Sequence, residues 1–295
     1  MPRWDHAAEV FAWRLVAPAL LLVFALLIIP LAFSLYVSFH RWDITVVPNV
    51  LRWAGTRNYA SILSNPETWT ALSFTLTYTV LSVAGEFVLG LTLALLLDRL
   101  RVGHGVFISL LIMPMMIAPL VTGLAWRLML NSEYGPLNQA LSMQGTLWLG
   151  DVNLARISVV AATIWQEAPF MMVLLLAGLR ALPREPLEAA MIDGANWWQT
   201  LFYVTLPLLK PVIMVALLIR TIFEMRAFDI IWILTNGGPA GGTDTLSLLN
   251  FRTSFRHFQI GPGAALSWLM MLITTIIALW YIRVLAQSRN QKGAA

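Results

Sequence analysis

Seven charged residues, Glu86, Arg127, Glu167, Arg220, Glu224, Arg226 and Asp229, interrupt otherwise apolar stretches of this 295-residue chain. A charge in a hydrocarbon setting costs about 2.5–3.5 kcal/mol on insertion scales, so each needs a partner or a task. Glu167 follows Gln166 and precedes Pro169, which can open a helix and turn a backbone carbonyl toward an aqueous cavity. Arg220 and Glu224 stand four residues apart, where helical side chains meet, and Asp229 comes near the same stripe. Mutual neutralisation and contact with a polar ligand both account for that spacing. Glu86 follows Gly85, which invites close helix approach and favours an interhelical hydrogen bond. Arg127 and Asp229 lie near the ends of their segments, and a long side chain such as Arg127 can snorkel from there to the interface.

Covalent and metal chemistry has little to work with. The sequence has no cysteine, which excludes disulfides, thiolate metal sites and a cysteine nucleophile. Its four histidines, His6, His40, His104 and His257, are far apart and lack metal-ligand spacing. The run Gly237 to Gly242 has the glycine separation of a phosphate loop but continues Thr243-Asp244, where Lys followed by Ser or Thr is required. It is expected to be a turn around Pro239. No catalytic residue, metal or cofactor is assigned to this chain. If ATP drives it, a partner binds the nucleotide.

The elements that hold these residues are membrane spans. With 59% hydrophobic and 12% charged residues, a water-soluble domain of this length could not cover its apolar surface. A hydrocarbon core of about 30 Å needs roughly 20 apolar residues as helix. Six segments are expected to span it: Leu15 to Phe39, Ala71 to Leu97, Val106 to Leu130, Ile157 to Leu179, Val212 to Leu234 and Ala264 to Ile282. Helices satisfy their backbone internally, and the short alternating segments of a barrel are missing, so the fold is expected to be all-α. The first span exceeds a signal core of roughly 7–15 residues and lacks a small-x-small cleavage site, so it is expected to be retained.

Lys and Arg outside the spans set the orientation. With the N-terminus inside, Arg3, Arg14, Arg99, Arg101, Arg180, Arg184, Lys210, Arg283, Arg289 and Lys292 are cytoplasmic. Arg41, Arg52, Arg57, Arg156, Arg252 and Arg256 fall on the other side, in longer loops. Both termini are therefore expected in the cytoplasm, and the net charge of +4 reflects topology, not nucleic-acid binding. The chain divides into residues 1–70 (tail, first span and external loop), 71–284 (the main membrane domain) and a cytoplasmic tail, 285–295. A cytoplasmic loop, 180–211, lies within the second part.

That loop contains the densest local signals. Pro186 can start a helix, Leu187, Ala190 and Met191 fall on one face, and Gly194 permits a turn. Asn196 is an expected N-cap for a second short helix carrying Trp197, Leu201 and Val204, with Pro207 stopping the run. Two short amphipathic helices joined at a glycine suit docking, although an ordinary interfacial hairpin has the same pattern.

Glu188-Ala189-Ala190, three residues, Gly194, nine residues, then Val204-x-Leu206-Pro207 resembles the signature loop of ATP-binding-cassette importer permeases. Val204 stands where the family pattern has isoleucine, which keeps β-branching and apolarity. The resemblance implies that this loop, including Asp193, seats in a groove of a separate ATPase subunit in the cytoplasm. The run from Arg226 to Pro239 with Thr243-Asp-Thr looks like the carbohydrate branch of these permeases. So do Gly55 to Tyr59, Pro114 to Trp126 and Trp165 to Phe170, and permeases for disaccharides and polyols are the most similar in flavour.

The resemblance implies a type I importer in the cytoplasmic (inner) membrane of a prokaryote. It has two permeases, here as a heterodimer, two ATPase copies that bind ATP and Mg, and an external solute-binding protein. By analogy, a sugar cavity halfway across the membrane is lined by Thr163, Gln166, Glu167 and Phe170, and faced by Arg220, Phe223 and Glu224. Glycerol phosphate or an oligosaccharide is the alternative solute. A proton-coupled secondary transporter titrating Glu86, Glu167 or Glu224 is the alternative mechanism. An intramembrane enzyme lacks a convergent nucleophile or metal set.

Overall fold

The structure, a computed structural model, describes residues 6–45, 51–100, 102–143 and 145–292, with side chains from Phe11 to Ala286. Of the basic residues used for orientation, Arg3 and Arg101 lie outside the described residues, as do the side chains of Arg289 and Lys292 and the last three residues of the expected tail. The apolar runs fold as helices, and the chain is all-α apart from one two-residue hairpin among the described residues.

In chain order the elements are α1 (His6–Ser38), β1 (His40–Arg41), β2 (Arg52–Trp53), α2 (Arg57–Ser64) and α3 (Pro66–Arg99). They continue with α4 (His104–Met116), α5 (Pro119–Met129), α6 (Pro136–Ala140), α7 (Val152–Arg180), α8 (Glu185–Ile192) and α9 (Trp197–Gln199). The last are α10 (Leu206–Glu224), α11 (Asp229–Leu234), α12 (Leu246–Phe251) and α13 (Ile260–Lys292). Among the described residues, five helical stretches are long and apolar enough to cross a membrane: Phe11–Ser38, Pro66–Arg99, Val152–Arg180, Trp197–Glu224 and Ile260–Ala286. The pair α4 and α5 adds a sixth only if its bent halves are one span.

Two expected spans differ from this outcome. Val106 to Leu130 is not one rod: α4 and α5 meet at 91°. Pro119 is the cause, because its ring excludes the residue before it from the helical region, and Ala118 is extended at ψ 136° with Ile117 at ψ 133°. The span expected from Val212 to Leu234 ends at Glu224, and the chain turns through Met225–Phe228 before α11 restarts it. Pro207 does not stop the preceding helix either. A π turn over Thr200–Thr205 joins α9 to α10, with the Leu206 amide bonded to the Leu201 carbonyl. The wider turn makes room for a proline ring that has no N–H to donate and would crowd the carbonyl four residues back.

The chain forms two compact units. One contains Met1–Asn65 and Asn250–Met270. Here β1 and β2 pair antiparallel, His40 opposite Trp53 and Arg41 opposite Arg52. The Asn58 amide donates to the carbonyls of Ser38 (2.8 Å) and His40 (2.9 Å), which fixes α2 against the end of α1.

The other contains Pro66–Leu249 and Met271–Ala295. Its centre is the extensive contact of α3 with α7, onto which α4, α10 and α11 pack. Gly85 makes the approach possible: a Cβ there would lie 2.2 Å from Ile164 Cδ1. Two apolar clusters hold this bundle. One is built around Phe74, Tyr78, Val159, Ile231 and Leu248, the other around Leu97, Met171, Met172, Leu175 and Leu209.

Candidate functional site

Between the two apolar clusters, α3, α7 and α10 bring four charges together. Arg220 is the hub. Its Nε donates to Glu86 Oε2 at 2.6 Å and its Nη2 to Glu86 Oε1 at 3.1 Å, while Nη1 donates to Glu167 Oε2 at 2.9 Å. Nη2 also bonds Glu224 one helical turn away. The guanidinium lies 5.8 Å from the centre of the Phe170 ring. A planar fork with five N–H donors can serve three carboxylates from three directions, which a lysine ammonium on a flexible stem does less well.

The rest of the cluster is satisfied by hydroxyls. Tyr78 donates its O–H to Glu224 Oε2 at 2.7 Å and lies 2.9 Å from Thr163 Oγ1. Glu86, Glu224 and Arg220 are buried, whereas the Glu167 side chain is 27% exposed. Glu167 is therefore the member of the cluster that can reach a ligand without dismantling it.

A cavity of about 330 Å³ opens over this charge cluster. Its polar lining comes from Tyr78, Thr163, Glu167, Arg220, Glu224 and the rim residues Arg226 and Asp229, and Phe223 and Phe228 add aromatic faces. The Met225–Phe228 turn and Pro119, at the α4–α5 break, form other parts of its wall. The volume falls at the lower end of small-molecule pockets, roughly 300–1,000 Å³.

Of the residues proposed from sequence for the solute cavity, Thr163, Glu167, Arg220, Phe223 and Glu224 line this space together. Gln166 and Phe170 do not. The amide of Gln166 is buried and donates to the Ile117 carbonyl at 2.7 Å, at the break between α4 and α5. Phe170 lies beneath the guanidinium. Glu86 makes an interhelical contact as its position beside Gly85 suggested, with Arg220 as the partner. Arg127 reaches from α5 to the Ile233 carbonyl, 3.3 Å away.

Sequence reasoning missed Tyr78, Pro119 and the turn residues. Tyr78 had a signal: Thr75, Tyr78, Thr79, Ser82 and Glu86 form a buried polar stripe at helical spacing along α3. Pro114 and Pro119 likewise marked a weak point in the third span. The turn at Met225–Phe228 contains neither proline nor glycine, and the single charge of Arg226 did not mark it as a break in the helix.

The second candidate site is the hairpin from α8 to α9. Helix α8 ends in a Schellman arrangement: the Ala195 amide bonds the Ala190 carbonyl at 3.0 Å and the Gly194 amide bonds the Met191 carbonyl at 3.2 Å. Gly194 has φ +77°. Asn196 then caps α9 reciprocally with Gln199, at 2.9 Å from Asn196 Oδ1 to the Gln199 amide and 2.7 Å in return. Glu188 lies in the first turn of α8, Ala189 and Ala190 follow, Asp193 is its C-cap, and Leu206 and Pro207 begin α10. Met191, Ile192, Trp198, Phe202 and Tyr203 are all exposed, an apolar surface with nothing of this chain over it among the described residues.

A bundle of apolar spans around a polar, charge-floored cavity, with an exposed helical hairpin, defines a polytopic α-helical membrane transport protein. The chain belongs to the family described as the binding-protein-dependent transport system inner membrane component, whose model matches residues 86–290. It is 38% identical over 278 residues to the trehalose/maltose transport system permease protein MalF of Thermococcus litoralis, covering 92% of each chain. It is 37% identical over 273 residues to the trehalose transport system permease protein SugA of Mycobacterium tuberculosis, covering 92% of this chain and 88% of that one. Its fold is like that of a bacterial ABC transporter involved in the import of the acidic polysaccharide alginate, with a TM-score of 0.82 at 20% identity, over 95% of this chain and 96% of that chain.

Proposed function

We propose that this chain is one permease of an ATP-driven importer that carries a sugar, a disaccharide or a polyol, from a solute-binding protein into the cytoplasm. The cavity over Arg220 carries the proposal: carboxylates and hydroxyls to bond sugar hydroxyls stand beside aromatic faces on which sugar rings stack. The names of the relatives above support the same solute class. Glu167, Thr163, Arg226 and Asp229 contact the solute in this proposal. Arg220, Glu86 and Glu224 form the rigid floor, and Phe223 supplies a stacking face.

Both termini and the α8–α9 hairpin are cytoplasmic, and the hairpin seats in one of two ATPase subunits, which bind ATP and Mg. This chain pairs with a second permease. ATPase closure moves Glu188 to Pro207, and the two permeases rock between outward-open and inward-open states. The chain itself performs no covalent chemistry.

The test is uptake of labelled trehalose by cells carrying the complete transporter. Uptake that is lost when the ATPase is inactivated and unaffected by collapse of the proton gradient supports the proposal. Uptake that survives ATPase loss and collapses with the gradient replaces it with a proton-coupled transporter. Tight binding of glycerol phosphate or an oligosaccharide, and not of trehalose, by the cognate solute-binding protein would change the solute and leave the importer class standing.

A further inference from the structure

The hairpin after α1 gathers three arginines around one space. Arg41 and Arg52 are direct cross-strand partners, and Arg57 opens α2. With Trp53, Gly55 and Asn58 they line a cavity of about 410 Å³. Like charges placed directly opposite each other across two strands are destabilising. Among the described residues, none of the three guanidiniums forms an ion pair, and the carboxylate of Asp43 acts on Arg41 only at longer range. The nearby carboxylate of Asp43 is engaged by the amide of Thr45 at 2.9 Å and by its hydroxyl.

The frame that holds them is firm. Asn58 ties the carbonyls of Ser38 and His40, Ser38 Oγ lies 2.7 Å from Tyr59 Oη, and the Ala54 amide donates to the Phe39 carbonyl at 2.9 Å. Three cations mounted on a buried, satisfied frame create a site for an anion.

Depth in the membrane identifies the anion. In the apolar span Phe11–Ser38 no residue from Phe11 to Tyr36 is buried in this chain, and β1 begins two residues after the span, at His40. The cavity therefore stands at headgroup level. Trp53 is 71% exposed and stacks on Phe39 at 6.0 Å, the placement of an aromatic residue at a lipid–water boundary. We propose that this cavity binds the phosphate of an anionic phospholipid headgroup, with Arg41 and Arg52 as the main donors and Arg57 as the third. Trp53 borders the acyl chain. The site uses no residue of the Arg220 cavity and holds whatever solute is carried.

The complete transporter, purified in detergent, is exposed to dioleoylphosphatidylglycerol, dioleoylphosphatidylcholine or inorganic phosphate, and retained molecules are counted by native mass spectrometry. Phosphatidylglycerol should be preferred over phosphatidylcholine by roughly tenfold, a preference that Arg41→Gln/Arg52→Gln removes and Arg41→Lys/Arg52→Lys keeps in part. Equal retention by the parent and the glutamine variant overturns the proposal. Retention of inorganic phosphate without a lipid preference overturns the lipid assignment in favour of a free anion. If the glutamine variant keeps its lipid but no longer binds the solute-binding protein, the arginines serve a protein partner and the proposal fails.

Discussion

Arg220 and Glu86 stand 134 residues apart in sequence, yet the guanidinium grips the carboxylate with two nitrogens, at 2.6 and 3.1 Å. The pair ties α10 to α3 in the interior of the bundle, and Glu167 and Glu224 share the same cation. Burial makes its loss expensive: removing one partner of a buried ion pair strands the other at about 3–5 kcal/mol.

Glu86→Gln and Arg220→Met should therefore each reduce the folded yield of the assembled transporter sharply, and Arg220→Lys should rescue it poorly because an ammonium cannot replace the fork. Size-exclusion chromatography after membrane extraction measures this. Wild-type assembly of Arg220→Met would show that the cluster is not what holds α3, α7 and α10 together.

Glu167 should behave differently, because it is partly exposed at the cavity wall. Glu167→Gln keeps the shape and one acceptor, so assembly should stay near wild type while uptake falls roughly tenfold, the scale of one lost charged hydrogen bond of about 1.5 kcal/mol. Glu224→Gln should instead weaken assembly only moderately, because Arg220 keeps Glu86 and Glu167 as partners, and adding Arg220→Met should weaken it further by stranding the buried Glu86. Wild-type assembly and normal uptake in Arg220→Met/Glu224→Gln would remove both residues from the solute path.

Gln166→Leu should cost about 1–3 kcal/mol of stability, since it leaves the Ile117 carbonyl unpaired at a helix break. The break positions Pro119 in the cavity wall, so the apparent affinity for solute should fall as well. A thermal-shift measurement on the purified transporter, paired with uptake kinetics, separates the two effects. Unchanged stability and affinity would mean that Pro119 alone sets the bend.

A Cβ at Gly194 would meet no atom within 4 Å, so crowding at that carbon is not the defect of Gly194→Val. The defect is the backbone, since φ +77° costs an L-residue about 1–2 kcal/mol. Gly194→Asn should be tolerated better. Solute-stimulated ATP hydrolysis should drop in the valine variant with the protein still present in the membrane, and hydrolysis at the wild-type rate would argue against coupling through this hairpin.

The lack of native cysteine makes topology directly testable. A cysteine at Gln199 should be labelled only from the cytoplasm and one at Thr56 only from outside, both positions being exposed. The opposite pattern would invert the orientation and remove the hairpin from the ATPase side.

The sequence by itself determined whatever is encoded over a few residues. Apolar runs long enough to span a membrane had to be helical, because hydrocarbon offers no partner to an open backbone. Gly194 and the Asn196–Gln199 pair specified a helix end and a helix start because the bonds that build them join residues no more than five apart. The Arg220–Glu224 pair was legible at the spacing of one helical turn. Tertiary structure decided the rest. Glu86 and Glu167 met Arg220, and Tyr78 met Glu224 across 146 residues, because α3, α7 and α10 pack together, α3 approaching α7 closely at Gly85 and Gly90. The place of Gln166 at the α4–α5 break was also decided there, by its bond to the Ile117 carbonyl. In each case the local pattern left the partner open, and packing of segments distant in sequence supplied it.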